Sequence, residues 1–275
     1  MKLLAPLLLL ALTGCDAFAQ NAPAARIDLD KIAEAAPLHT AAPVAQPTSA
    51  CEQVVFEEAT LTHCVADPAQ HAVATALAPD GRRPYRSFAS YHAENSADDV
   101  AFAMNGGMYD DDGQPIGYYV EGGERLKELN RADGPGNFHL KPNGVFFGTG
   151  DSWQVLSADR FYAEVTERPT FATQSGPMLV VDGEIHPEIT ENGPSRLTRN
   201  AVGVDAAGRA HFVISRGAIS FGLLARYFLN ELQTPNALFL DGSVSALWDP
   251  ANDRMDGLAP LGPLIVVKNK AQAAP

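Results

Sequence analysis

Ala237-Leu238-Phe239-Leu240-Asp241-Gly242-Ser243 is a short apolar run that delivers one carboxylate onto a Gly-Ser turn. Such a run has the pattern of a buried strand. Upstream, Phe221, Leu224, Ala225, Phe228 and Leu232 recur at helical spacing, and Ser220 stands where an N-cap belongs. The reading is therefore helix, strand, acid. This is a common way to set a reactive group on a rigid support. Taken locally, Asp241-Gly242 reads first as a turn. The rest of the chain changes that balance.

Short strands surround this unit, with few helices and no regular β-α alternation. Val73–Leu77, Val100–Met104, Ile116–Val120, Val145–Phe147, Trp153–Leu156, Met178–Val181, Ile185, Ala201–Val204, Ala210–Ile214 and Leu264–Val267 all carry strand patterns. Val181-Asp182-Gly183-Glu184 reads as a hairpin turn, and Pro84 to Asn95 is compatible with a helix. The expected fold is α+β: a single domain on a mixed, mostly β sheet core with a few helices.

The chain has 275 residues, 46% hydrophobic and 19% charged, with a net charge of -13. An acidic chain with scattered charges has nothing to displace counterions from phosphate, so nucleic acid is not an expected partner. Lys2 followed by the apolar Leu3–Leu12 has the form of an export signal, too short to span a bilayer. Leu12-Thr13-Gly14-Cys15 is similar to a bacterial lipobox, which implies cleavage after residue 14 and lipidation of Cys15. Ala17-Phe18-Ala19 offers a competing cleavage site that would release a soluble protein. The lipoprotein reading is preferred, and places the chain in the bacterial envelope, facing the periplasm. Residues 15–50, rich in Ala and Pro, form a tether of roughly 30 Å reach by random-coil scaling. The domain is expected over 51–267 and a frayed tail over 268–275. With Cys15 used for lipid, Cys51 and Cys64 form an even pair in an oxidising compartment. The segment between them reads as two short strands about a bend at Glu57-Glu58-Ala59, so a cross-hairpin disulfide is expected.

Five stretches, in order, resemble the phosphodiester glycosidase family. They are Asn105-Gly106-Gly107-Met108-Tyr109; Pro115-Ile116-Gly117-Tyr118-Tyr119-Val120; Ser175-Gly176-Pro177-Met178-Leu179-Val180-Val181-Asp182-Gly183; Arg199-Asn200-Ala201-Val202-Gly203-Val204-Asp205; and the opening stretch. A closer likeness, to a bacterial envelope branch, is carried by Gly134 to Phe147. The family's glycine triplet is here Gly242-Ser243-Val244, and Asn200 stands where the family has Thr. Side chains at 243 and 244 would narrow the pocket.

The resemblance implies hydrolysis of a sugar-1-phosphodiester. A phosphate monoester is already a stable leaving anion, so the chemistry calls for a cation beside the phosphate and a carboxylate near the developing oxocarbenium ion. Arg199 is the expected cation, because its planar fork holds two phosphate oxygens at once. Arg216 and Lys141 are secondary. Asp241 is the expected carboxylate, while Glu121, Glu124, Asp110 and Asp133 compete for any second acid. Asn105, Gly106, Gly107, Gln174, Ser175, Gly176, Asn200, Gly242 and Ser243 are expected to line the pocket, with Asn137 and His139 as further polar candidates. The rival reading is a non-catalytic lipoprotein that binds a glycan or phosphosugar.

Other chemistries fail on spacing. No Gly-x-Ser-x-Gly elbow, paired-His zinc motif or P-loop occurs, and Asp110-Asp111-Asp112-Gly113 lacks the spacing of a calcium loop. No cofactor is expected, and a metal requirement stays open.

Overall fold

In a computed structural model of the chain, residues 48–78, 83–241 and 244–271 are described. They fall within one compact unit, Gln46–Pro275. Three antiparallel sheets build it. The largest has the order β1-β2-β13-β12-β14-β10-β11. Its strands are β1 (Cys51–Phe56), β2 (Ala59–Ala66), β10 (Met178–Val181), β11 (Glu184–Ile185), β12 (Asn200–Val204), β13 (Ala210–Ser215) and β14 (Asn236–Phe239). The second, ordered β16-β15-β4-β17-β3, uses β3 (His71–Ala76), β4 (Val100–Asn105), β15 (Leu247–Asp249), β16 (Arg254–Met255) and β17 (Leu264–Asn269). The third, ordered β6-β5-β9-β7-β8, uses β5 (Tyr119–Glu121), β6 (Glu124–Lys127), β7 (Gly144–Thr149), β8 (Ser152–Ser157) and β9 (Phe171–Ser175).

Side-chain alternation sorts the residues onto two buried faces. Phe212 and Leu238 from the first sheet, Phe102 and Ile265 from the second, and Phe146 and Phe171 from the third share one central cluster. Phe212 sits between sheets, with its ring 5.3 Å from Phe102 and 5.7 Å from Phe146. Each sheet's outer face is then covered by one short helix. Phe88 and Tyr91 of α1 (Phe88–Glu94) pack with Val266 and Trp248, and Phe161 of α2 (Ala158–Glu164) packs with Val145 and Phe147. Leu223 and Leu224 of α3 (Phe221–Arg226) pack with Ala201 and Phe239. Strands buried on both faces read as continuous apolar runs rather than alternating ones, and the opening stretch is such a run.

The α+β class holds, with one correction. The mixed sheet expected from the sequence is absent among the described strands, where every pairing is antiparallel. Helix α3 does link two parallel strands, β13 and β14, but β12 lies between them and runs opposite to both. The expected helix before β14 is present, and Ser220 caps it by accepting the Leu223 N–H at 3.1 Å. Its last turn widens to a π-helix over Tyr227–Glu231. The expected disulfide is formed, Cys51 standing directly opposite Cys64 across the β1–β2 pair. Glu57 and Glu58 make the turn with φ of 45° and 67°. Cys15 and the rest of residues 1–47 lie outside the described residues, as do Gly242 and Ser243.

Candidate functional site

The three sheets meet at one end, and there the separated motifs come together. Asn105 ends β4, Ser175 ends β9, Asn200 begins β12, and Asp241 follows two residues after β14. Asn105 is 1% exposed, and its Oδ1 accepts the Asn200 amide at 2.8 Å and the Ala246 N–H at 2.8 Å. The Asn105 amide reaches the Asp241 carbonyl at 3.5 Å. The Ser245 hydroxyl lies within donating distance of the Thr198 carbonyl at 3.1 Å, the same Asp241 carbonyl at 3.2 Å and Asn200 Oδ1 at 3.4 Å, one of which takes its proton at a time. The Ser175 hydroxyl donates to the Leu240 carbonyl. The bonds from Asn105, Ser175 and Ser245 spend side-chain donors on the backbone carbonyls of residues 240 and 241, and so hold the main chain that carries the Asp241 carboxylate. Asp241 itself is 7% exposed.

The glycines beside Asn105 allow close approach. A Cβ on Gly107 would lie 2.1 Å from the Gln174 carbonyl oxygen, while its N–H donates to Thr173 Oγ1 at 3.0 Å. Gly106 donates to the Pro263 carbonyl at 2.7 Å. Gly176 is pressed against Asn143 and Phe138, so it packs a loop rather than facing an opening. The Gln174 side chain is committed elsewhere than expected. Its Oε1 accepts the Tyr118 and Asn130 N–H groups at 2.8 and 2.9 Å, and its amide donates to the Asn130 carbonyl at 2.6 Å. It clamps Tyr118, just before β5, to Asn130 in the loop that joins β6 to β7.

Arg199 departs most from expectation. The β12–β14 register pairs Ala201 with Phe239, and the Leu240 N–H donates to the Asn200 carbonyl at 3.2 Å. Continued one step, that register sets Arg199 opposite Asp241. Yet Arg199 is 0% exposed. Its guanidinium lies 3.6 Å from the centroid of the Phe221 ring and 5.5 Å from that of Phe239. Its N–H groups donate to the Ile219 carbonyl at 2.9 Å and to the Ser195 carbonyl and hydroxyl at 3.1 and 3.0 Å, while Nη1 is buried without an acceptor. Burial alone pulls its pKa down to about 10. The fork expected to receive phosphate is sealed beneath α3, where it pins the 195–199 approach to the start of that helix. An aromatic face compensates part of the lost hydration.

The secondary cations differ in the same way. Lys141 is held by Asp133 at 2.5 Å and by the Arg131 carbonyl at 2.9 Å. Arg216 is exposed, with one long contact to Gln53 Oε1 at 3.4 Å, and lines a cavity of about 750 Å³ that also exposes Ser245 and Thr198. The candidates for a second acid are occupied away from the cluster. Asp110 accepts the Gln114 N–H of its own turn, and Glu121 accepts from Tyr119 and Leu77. Glu124 lies on an exposed strand. His139 contacts the Ala132 carbonyl and stacks edge-on with Phe138; Asn137 starts the same short turn.

Tyr109 was not among the expected site residues. Burial raises the pKa of its phenol, and the charge of Asp241 raises it further, while Arg86 opposes. The phenol therefore stays protonated near neutrality, and it donates to the Pro260 carbonyl at 2.6 Å. The signal was present as the aromatic that closes Asn105-Gly106-Gly107-Met108-Tyr109. Among the described residues, no group of three or more His, Cys, Asp or Glu is arranged to hold a metal ion.

The chain is 40% identical over 154 residues to the uncharacterized protein YigE of Escherichia coli (strain K12). That stretch covers 56% of this chain and 60% of the relative. In fold it is similar to the catalytic domain of zebrafish N-acetylglucosamine-1-phosphodiester α-N-acetylglucosaminidase, auto-inhibited by its pro-peptide. There the TM-score is 0.54 and the identity 15%, over 80% of this chain and 82% of the other. The family model for phosphodiester glycosidases matches residues 98–268, which take in every member of the motif cluster. The chain belongs to the phosphodiester glycosidase family.

Proposed function

We propose that the protein is a hydrolase that cleaves the glycosidic bond of a sugar-1-phosphodiester in the bacterial cell envelope. The observation that carries this reading is the convergence of Asn105, Ser175 and Ser245 on the backbone carbonyls of Leu240 and Asp241, with the Asn200 carbonyl accepting the Leu240 N–H and its amide bracing Asn105. Four chain segments are spent on holding the main chain that carries one carboxylate at the junction of three sheets. Preorganised polar groups of this kind stabilise charge that develops in a transition state. Asp241 serves the anomeric carbon, either attacking it or deprotonating the attacking water. Arg216, at the rim of the adjoining cavity, takes the phosphate role first expected of Arg199. Tyr109, protonated beside Asp241, supplies a neutral polar wall. No strong general acid is required, because the departing phosphate monoester is stable as an anion. The envelope location rests on the leader from Lys2 to Cys15.

The test is turnover of a panel of glycosyl phosphodiesters, including N-acetylglucosamine 1-(methyl phosphate), by the wild type and by Asp241→Asn. Loss of at least about a hundredfold in kcat, with an unchanged circular dichroism spectrum, is the expected result for a group acting at the reacting carbon. Hydrolysis in oxygen-18 water should put the label in the sugar. Label in the phosphate, or full activity in Asp241→Asn, would refute the assignment.

A further inference from the structure

The cavity of about 750 Å³ beside the motif cluster is walled by an unusual set of side chains. Leu258 is 105% exposed, Leu197 46% and Met255 40%, and all three line it. Large apolar side chains on a monomer's surface are ordinarily scattered, and several around one concavity mark a binding site. Arg216, Arg254 and Asp256 are its charged lining residues. Arg254 is neutralised by Asp256 at 2.7 Å, whereas Arg216 has no carboxylate partner among the described residues. Ser245 joins the cavity to the cluster, since its hydroxyl lies 3.2 Å from the Asp241 carbonyl. No aromatic side chain is among the described lining residues, so these offer a nucleobase no ring to stack on. The same cavity thus brings together Ser245 from the cluster, an unneutralised guanidinium and three exposed apolar side chains.

We infer that this cavity holds an apolar alcohol chain, and that the substrate is a glycosyl phosphodiester of a long-chain alcohol. The sugar lies at Asp241, the phosphate at Arg216, and the chain along Leu197, Met255 and Leu258. The inference rests on the hydrolase reading above and names the leaving side of its substrate. In the reaction the C1–O bond breaks and the alkyl phosphate departs with its electron pair as a monoester anion. Water supplies the new oxygen on C1 and its proton passes to solvent.

The experiment compares N-acetylglucosamine 1-(decyl phosphate) with its methyl analogue, below the micellar concentration, using the full chain. Calorimetric binding of decyl phosphate and methyl phosphate runs in parallel. Burying a methylene changes affinity by roughly fourfold, so the decyl compound should gain at least about a hundredfold in kcat/KM and in affinity. Leu258→Asp and Met255→Asp should erase that gain and leave turnover of the methyl compound unchanged. Equal turnover of both compounds overturns the inference while the hydrolase reading stands. Chain-length-dependent binding that Leu258→Asp removes, without hydrolysis of either compound, supports the apolar site and refutes the hydrolase reading. Binding that ignores chain length, with no turnover, refutes both.

Discussion

Asn105 shows how one residue can hold a site together. Its carbonyl oxygen satisfies two donors from different segments, the Asn200 amide and the Ala246 N–H, in a place where water does not reach. Asn105→Ala leaves the Ala246 N–H unpaired and the Asn200 amide with only a 3.4 Å contact to the residue 105 carbonyl. The unpaired N–H should cost about 1–3 kcal/mol, so the urea midpoint should fall clearly while the slope stays constant. A stability change under about 0.5 kcal/mol would mean that water takes over the bonds. Asn105, Ser175, Asn200 and Asp241 were legible in the sequence because each sits where a strand pattern breaks into polar or glycine residues. Arg199 was not. Its register position opposite Asp241 follows from strand pairing, but its burial depends on Phe221, Ile219 and Ser195, which close over it from other segments. Charge and position name a cation; only packing tells whether its fork faces water.

At the scale of elements, patterns were readable where strands were apolar and missed where buried polar groups bonded internally. Phe171-Ala172-Thr173-Gln174-Ser175 is fully buried as β9, yet three of its five residues are polar. Thr173 accepts from Gly107, Gln174 clamps Asn130, and Ser175 donates to Leu240, so each polar side chain is compensated by a distant partner. The short α2, capped by Ser157 Oγ, carries too few turns for a periodic signal. Pairing of β2 with β13 brings another buried polar pair together, His63 Nε2 and His211 Nδ1 at 2.9 Å. Burial first, and then the His211 charge, lowers the His63 pKa to about 4. Burial likewise lowers His211, against the pull of Asp205. Burial works to raise the Asp205 carboxyl, but bonds from His211 and Arg209 outweigh it. Glu52 stands 3.8 Å from His63 on the exposed side. A histidine whose pKa is lower in the folded state stabilises the fold above its unfolded value near 6.5, and that contribution is lost as pH falls towards 4. The melting temperature should therefore decline between pH 6.5 and 4, and His63→Gln should flatten the decline. An identical slope in the variant would show that other groups control it.

Across the whole molecule, three sheets share one core, and at their common end Asn105, Ser175 and Asn200, from strands of all three, come together. Phe212 couples the sheets through its contacts with Phe102 and Phe146. Phe212→Ala should cost about 3–5 kcal/mol, and through the shared core it should weaken the site's geometry along with the fold. The α+β class was readable from strand count and helix scarcity. The arrangement into three sheets was not, since antiparallel neighbours distant in sequence, such as β4 and β17 or β2 and β13, leave no local mark. The export signal and lipobox expected in residues 1–15 pose the remaining question at this scale, because a substrate with an apolar chain would be met at a membrane surface. A diacylated Cys15 would confine the domain within a tether's reach of the bilayer, where two acyl chains hold a protein firmly. Cys15→Ser should then move the protein from the membrane fraction to the soluble one, leaving turnover of a short-chain substrate intact and lowering turnover of a vesicle-embedded long-chain one. If the wild type is already soluble, with Gln20 as its first residue, processing occurs after Ala19 and the tether plays no part in finding substrate.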